Sequence, residues 1–220
     1  MRTVEPQKWL IYKLQDDAVI RAARKHFHGR LLDIGCGNKP YYELLRPIVA
    51  EHIGVDHVHS IHGVANVELL GTAYQIPVPD HAFDCALCTS VLEHIEEPER
   101  ALTEALRVLK VDGVAIYTVP FIWHIHEAPR DFFRFSRFGI EYLFRKVGFD
   151  ILELKPLCGF WGTFGQALAY NIYRFNRGPL RWLKVVDVTV LAIQRVAYVL
   201  DKIDPADQWP SMYIVVAKKR

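Results

Sequence analysis

What the chain lacks narrows it first. Only four of its 220 residues are cysteine, too few for a disulfide scaffold, and the opening MRTVEPQKWLIYKLQDD has no apolar core of a secretory signal. A reducing cytoplasm is the expected location. No charge of one sign prevails: 27 lysines and arginines against 25 acidic residues leave a formal charge of +2, so the chain as a whole carries no electrostatic footprint for nucleic acid. Glycine (13) and proline (12) are at ordinary levels, which excludes collagen-like and low-complexity chains. A charge-free run of about 20 apolar residues, the length of a membrane span, is missing as well. The most apolar segment, Leu180 to Lys202, contains Lys184, Asp187 and Arg195. Against these absences stand ten histidines and 12% aromatic residues, a surplus for this length.

From residue 30 to about 157, apolar runs bounded by turn residues alternate with helix-period segments, as in a parallel sheet with crossover helices. Strands are expected at Arg30 to Ile34, His52 to Val55, Val64 to Leu70, Phe83 to Cys88, Val114 to Val119, Asp150 to Leu157 and Tyr213 to Ala217. EPERALTEALRVLKVDG reads as a helix opened by Pro98, with Ala101, Leu102, Ala105, Leu106 and Leu109 on one face and Asp112-Gly113 closing it. Another is expected from an N-cap at Ser136 to Val147, ended by Gly148. The expected fold is α/β: a doubly wound, mostly parallel, seven-stranded Rossmann-like sheet with an antiparallel last strand and a helical insertion before it. A single domain over 1–220 would comprise an N-terminal helix (1–28), a ligand-binding core (29–157), a helical cover (158–210) and the last strand (211–220). In the cover, Lys184, Asp187, Gln194, Arg195, Asp201 and Lys202 share one sector of a helical wheel and the remaining arc is almost wholly apolar. Such a helix should lie on something, as a homodimer contact or a peripheral membrane contact.

The first strand runs into Gly35-Cys36-Gly37, giving LLDIGCGNKPYYELL, a glycine turn of the kind that lets backbone approach a ligand at the carboxyl edge of a parallel sheet. The third glycine of the dinucleotide fingerprint is absent, since Asn38, Lys39 and Pro40 follow, which disfavours a pyrophosphate cradle. Asp56 ends the next strand 23 residues after Asp33, where a carboxylate can accept both hydroxyl protons of a ribose. The ligand expected is a nucleoside without a diphosphate.

LLDIGCG, GVD and GTAYQIPVPDHAFDCALCTSVLEHIEEPERALTEALRVLKVDGVAIYTVP together resemble the successive motifs of class I S-adenosylmethionine-dependent methyltransferases, type 11-like, over roughly residues 30 to 157. The resemblance implies S-adenosylmethionine as cofactor and S-adenosylhomocysteine as product. It implies that Asp33, Gly35, Cys36 and Gly37 line the methionine and ribose portion and that Asp56, with His57 beside it, holds the ribose and adenine rim. Ala73 would present backbone to the adenine edge, and Thr89, Ser90 and Leu92 would close the pocket near the sulfonium. The family often has an acidic residue where Thr72 stands, so adenine recognition would rest on backbone or on Asp80. Downstream, the KPYY continuation, the segment from Thr118 to Gln166 and the late YIVVAKK are similar to bacterial methyltransferases associated with surface polysaccharide and glycolipid synthesis. This implies a small-molecule, saccharide or lipid-linked acceptor, methylated on oxygen or nitrogen. Two other readings stay open: a protein that binds the cofactor without turnover, and an NAD-type oxidoreductase on a related fold.

Methyl transfer from a sulfonium is an in-line displacement, so a base is needed only to unmask a hydroxyl or amine. His126 or Glu127, with His124 nearby, follows the fifth strand and is the candidate base; the alternative reading is that these residues hold the loop through hydrogen bonds. No metal is expected, because His124 and His126 lack a matching third ligand. Arg130, Asp131 and Arg134 are candidate acceptor contacts, the arginines toward an anionic group. Phe132, Phe133, Phe135 and Phe138 could stack against sugar or aromatic rings, although core packing is the default reading for most of them. His52, His57, His59 and His62 are expected at the surface or the ribose rim. Cys85 and Cys88 form a CxxC inside a strand, where they point to opposite faces, and Cys36 reads as a small filler.

Overall fold

A computed structural model of the protein describes residues 5–61 and 63–220, so the first four residues of the expected N-terminal helix, and His62, lie outside the described residues. Seven strands form one sheet: β1 (Arg30–Ile34), β2 (Glu51–Asp56), β3 (Leu69–Leu70), β4 (Phe83–Thr89), β5 (Leu109–Pro120), β6 (Phe149–Pro156) and β7 (Met212–Lys219). Their order is β3-β2-β1-β4-β5-β7-β6. β1 pairs in parallel with β2 and β4, as do β2 with β3 and β4 with β5, and the sheet turns antiparallel at its last strands. This is the Rossmann-like arrangement expected. The reversal between β3 and β4 on either side of β1 creates a crevice at the carboxyl ends of β1 and β4, where open α/β sheets bind ligands.

The helices are α1 (Trp9–His26), α2 (Tyr42–Leu45), α3 (Pro98–Val108), α4 (Arg137–Val147), α5 (Phe160–Tyr173), α6 (Gly178–Trp182) and α7 (Val185–Ile203). α4 begins and ends as its sequence dictates: Ser136 Oγ accepts from Gly139 N at 3.2 Å, and Gly148 closes the helix at φ 108°. α3 opens on Pro98 but is shorter than expected. It stops at Val108, and Asp112, at φ 64°, turns the chain within β5 instead of closing the helix. The register passes from Phe83 opposite Leu109 to Cys85 opposite Val114, so the surplus residues of β5 form a bulge. The third strand also shrinks. Only Leu69 and Leu70 pair with β2 as a strand; just before them Glu68 N donates to Gly54 O, and the Glu68 carboxylate accepts from Lys39 Nζ and Gly54 N.

The chain divides into two compact units. The larger comprises residues 19–120, 124–155 and 213–220 and holds the sheet, with a core of Leu31, Leu32, Leu87, Leu102, Ile116 and Phe144. The smaller comprises residues up to 18, 121–123 and 156–212. The first turn of α1 joins it for a specific reason: two buried glutamines satisfy the N–H groups that a helix start leaves unpaired. Gln194 Oε1 accepts from Leu10 N at 2.8 Å and Gln166 Oε1 from Ile11 N at 3.2 Å. The expected long helix from Leu180 is broken at Lys184, which sits at φ 53° between α6 and α7. Its polar sector does not face water throughout. Gln194 is fully buried, and Asp201 accepts from Gly159 N and Gly162 N at the start of α5.

Candidate functional site

The turn after β1 depends on glycine. Gly35 and Gly37 have φ of 68° and 49°, and a Cβ on Gly35 would meet Val91 Cγ2 at 2.6 Å. The N–H groups of Gly35 and Cys36 donate to Val55 O at 2.9 and 3.3 Å, folding the turn onto the end of β2. Asp56 stands at that end. Its Oδ2 accepts from Gly37 N and its Oδ1 from His57 N, both at 2.7 Å. Each oxygen keeps a second acceptor position, the pair that two vicinal ribose hydroxyls require. This pair of acceptors therefore fits a nucleoside.

Asp33 is placed otherwise than at an open face. It is 2% exposed, and its Oδ2 lies 2.9 Å from His52 Nε2, so it braces β1 against β2; burial pushes its carboxyl above the ordinary range and His52 opposes that. His52 is correspondingly buried, not at the surface, while His57 and His59 are in ring contact at 5.3 Å near the rim. Cys36 is a buried thiol pushed up to about 12 by desolvation. Lys39 was not anticipated. It is buried at φ 49° and donates to His52 O at 2.9 Å and Glu68 Oε1 at 2.5 Å, fixing the chain after the turn. Thr72 and Gln75 exchange backbone hydrogen bonds at 3.3 and 3.1 Å, with Ala73 in the tight turn between them. Asp80, the alternative adenine contact, is engaged by Arg107 Nη1 at 2.6 Å. After β4, which ends at Thr89, Ser90 adopts φ 53° and Leu92 is buried.

The next two residues, Glu93 and His94, enter the site although the sequence reading passed over them. The signal was present in VLEH, directly after β4, but their partners lie more than thirty residues on. Glu93 O accepts from Phe132 N at 2.9 Å and Phe133 N at 3.2 Å, and His94 Nδ1 lies 2.5 Å from Arg130 O. Thus the short helix Leu92–His94 is tied to the segment following β5. The His94 and His126 rings meet edge-on at 4.7 Å, with His124 next at 6.0 Å from His126. Glu127, at φ 54°, brings its Oε2 to 3.7 Å from His94 Nε2. Two non-glycine residues in left-handed backbone, Ser90 and Glu127, therefore flank one cluster, a strain that packing must hold in place.

Electrostatics divide the carboxylates. Asp131 takes both guanidinium nitrogens of Arg134 at 2.6 and 2.7 Å, and this pairing holds its carboxyl far below the usual range. Arg134 also donates to the carbonyls of Phe133 and His124 at 2.7 and 2.8 Å. The expected acceptor contacts Asp131 and Arg134 thus bind each other and shape the loop, leaving Arg130 as the exposed one. Glu93 is 1% exposed, and burial pushes it up to about 8. His126 is lowered by burial and by His94, which keeps it neutral near pH 7. Of the four phenylalanines between 132 and 138 only Phe135 is buried; Phe132, Phe133 and Phe138 are 42%, 37% and 79% exposed.

Residues 32–117 match the family profile described as a methyltransferase domain. An uncharacterised methyltransferase, YcgJ of Bacillus subtilis, is 34% identical over 124 residues, 51% of this chain and 47% of that protein. The ubiquinone biosynthesis O-methyltransferase of Dechloromonas aromatica is 28% identical over 129 residues, 54% of this chain and 53% of its own. The chain thus spans about half the length of the curated relatives it matches. A phosphoethanolamine N-methyltransferase 2 from Haemonchus contortus, solved with S-adenosyl-L-methionine, superposes with a TM-score of 0.62 at 17% identity, covering 97% of this chain and 56% of that one. The fold is that of a methyltransferase, and the cofactor of this domain type is S-adenosylmethionine.

Proposed function

We propose that the protein transfers a methyl group from S-adenosylmethionine to a hydroxyl of a small-molecule acceptor, in the range of saccharides and lipid-linked saccharides. The observation that carries this reading is the convergence of Glu93, His94, His126 and Glu127 directly after the strand that closes the cofactor edge. When bound, the cofactor supplies an electrophilic methyl whose bond to sulfur breaks, leaving the electron pair on sulfur, as the bond to the acceptor oxygen forms. The chain's own residues prepare both sides. Asp56, fixed by Gly37 N and His57 N, orients the ribose. On the acceptor side, His126 or Glu127 takes the hydroxyl proton; a neutral imidazole is competent for this at neutral pH. The cluster favours oxygen over nitrogen as the acceptor, since an uncharged amine already presents its lone pair. Exposed Phe132 and Phe133 suit the apolar face of a sugar ring.

Calorimetric titration with S-adenosylmethionine and with NADH tests the cofactor. S-adenosylmethionine is expected to bind, and Asp56→Ala to weaken it at least tenfold, about 1.4 kcal/mol. Binding of NADH alone would overturn the reading. Cofactor binding without methylated product across hydroxyl-bearing acceptors would instead leave a silent binding protein.

Contact with an anionic membrane surface is the proposed setting. Among the described residues no helix is long and apolar enough to cross a membrane. Supporting a peripheral contact, Arg174, Arg177, Arg181 and Lys184 follow one another without an acidic residue, interleaved with Phe175, Trp182 and Leu183, which are 68%, 82% and 58% exposed. Amphipathic segments with cations beside exposed tryptophan bind anionic interfaces in this way.

A further inference from the structure

We propose that Glu93, His94 and His126 form a site for one divalent transition-metal ion at the acceptor edge. One ligand atom from each lies within 4.8 Å of the others. Donors bonded to one tetrahedral ion at about 2.1 Å lie ~3.4 Å apart, so closure needs side-chain adjustments of about 1 Å. Without a third ligand the histidines after β5 gave no reason to expect a metal. The short helix after β4 supplies two.

The surroundings set the ligand tautomers. His94 Nδ1 faces the carbonyl of Arg130, which can only accept, so Nδ1 carries the proton and Nε2 the lone pair. That Nε2 is 3.9 Å from Glu93 Oε1 and 3.7 Å from Glu127 Oε2. His126 Nδ1 lies 3.3 Å from His124 O and 3.5 Å from Asp131 Oδ2, a carboxylate anchored by Arg134, so this nitrogen faces acceptors of the kind that steady metal-bound imidazoles and leaves Nε2 for the ion. Arg134 Nη2, also 3.5 Å from this nitrogen, donates to Asp131 and to His124 O at shorter distance. Independently, Glu93 Oε2 is buried without a hydrogen-bond partner, a costly state for a carboxylate that a cation would relieve. Two imidazoles and a carboxylate select zinc, iron, cobalt or manganese over magnesium and calcium, which prefer oxygen alone. A three-residue set leaves a coordination position open.

The role assigned to the ion rests on the methyl-transfer reading. An acceptor hydroxyl bound at the open position would lose its proton more readily, with Glu127 as the proton acceptor, before its oxygen takes the methyl.

Metal-free protein titrated with Co²⁺ is expected to take up one equivalent, with visible absorption from mixed nitrogen and oxygen ligation. His94→Ala and Glu93→Gln should each weaken uptake at least tenfold, and His59→Ala should leave it unchanged. Melting of each variant without metal separates loss of ligand from loss of fold. Wild-type protein showing no saturable single-site uptake, or equal weakening by the His59 and His94 variants, would overturn the site. Calorimetry with S-adenosylmethionine runs beside it: cobalt uptake without cofactor binding removes the methyl-transfer reading and leaves the metal site, and the reverse removes the metal site alone.

Discussion

Glu93 and Asp131 face the same cluster, yet their environments drive them apart: burial raises the first to about 8, and a paired guanidinium holds the second strongly ionised. Burial acts on the thiols in the same direction. Cys36 is pushed up to about 12, Cys85 to about 11, and Cys88 and Cys158 upward as well. At pH 8 about one Cys36 in 10⁴ would be thiolate, so iodoacetamide should label the native protein far more slowly than the unfolded chain. A native cysteine alkylated at the rate of a free thiol would contradict the burial described. Glu153 goes the other way, lowered to about 2 by Lys155 and Lys25, with His26 adding to them. A carboxylate depressed on folding stabilises the protein above its unfolded pKa and loses that contribution as pH falls through the folded value. Glu153→Gln should therefore cost about 1 kcal/mol or less near pH 7, after solvent screening of these partly exposed pairs, and only a small part of that near pH 2, where the carboxylate is half protonated. Denaturation at both pH values checks it, and a cost that persists undiminished in acid would refute the assignment. At this scale the CxxC was legible as two thiols on opposite faces of one strand, and both are buried. The partner of Asp33 was not, because His52 reaches it only when β1 and β2 pair.

The elements were legible wherever their signals are local. Pro98, Ser136 and Gly148 mark helix ends through their own backbone chemistry, and the structure puts the ends there. The end of α3 was missed because Asp112-Gly113 is a turn signal that a bulge in a strand can also use. α7 misled for a different reason. Its wheel separates polar from apolar residues, but which side faces inward depends on partners 184 and 155 residues apart in the chain, where Gln194 and Gln166 meet the start of α1. Gln194 also donates to Pro6 O and Val190 O at 2.8 and 2.9 Å, and Gly165 of α5 leaves no room for a Cβ against Ala197 of α7. Replacing Gln194 by alanine strands the buried Leu10 N–H and leaves the half-buried Pro6 carbonyl without this donor, so Gln194→Ala should destabilise the protein by about 1–3 kcal/mol. Urea denaturation measures this, and a neutral substitution would mean that water replaces the glutamine. Gly165→Ala should likewise be destabilising, by overpacking the α5–α7 contact.

At the scale of the molecule, the residues of the candidate cofactor edge lie on consecutive turns of a repeating βα pattern and stand out in the sequence, whereas the candidate acceptor edge assembles from segments some 36 residues apart, as His94 and Arg130 do. The formal charge of +2 was the coarsest guide. Arg174, Arg177, Arg181 and Lys184 alone contribute four positive charges within eleven residues, so the rest of the chain is net negative. α7 adds an exposed face of Val188, Val196, Val199 and Ile203. A second copy of the chain would cover apolar surface but would bring the same cations with it, and like charges at close range oppose that contact. An anionic bilayer complements both features. Each cation near such a surface contributes about 1 kcal/mol, and the contribution fades beyond a Debye length. Sedimentation with phosphatidylserine-containing vesicles should therefore be strong at low salt, weak at about 0.5 M, and absent with neutral lipid. Arg177→Glu with Arg181→Glu should reduce it by more than tenfold, and Trp182→Ala should weaken it at every salt concentration because its ring contributes apolar burial, which salt does not screen. Binding indifferent to lipid charge would remove the electrostatic half of the argument. A dimer disrupted by Val196→Asp, with no vesicle binding at any salt, would assign the face to a second copy of the chain instead.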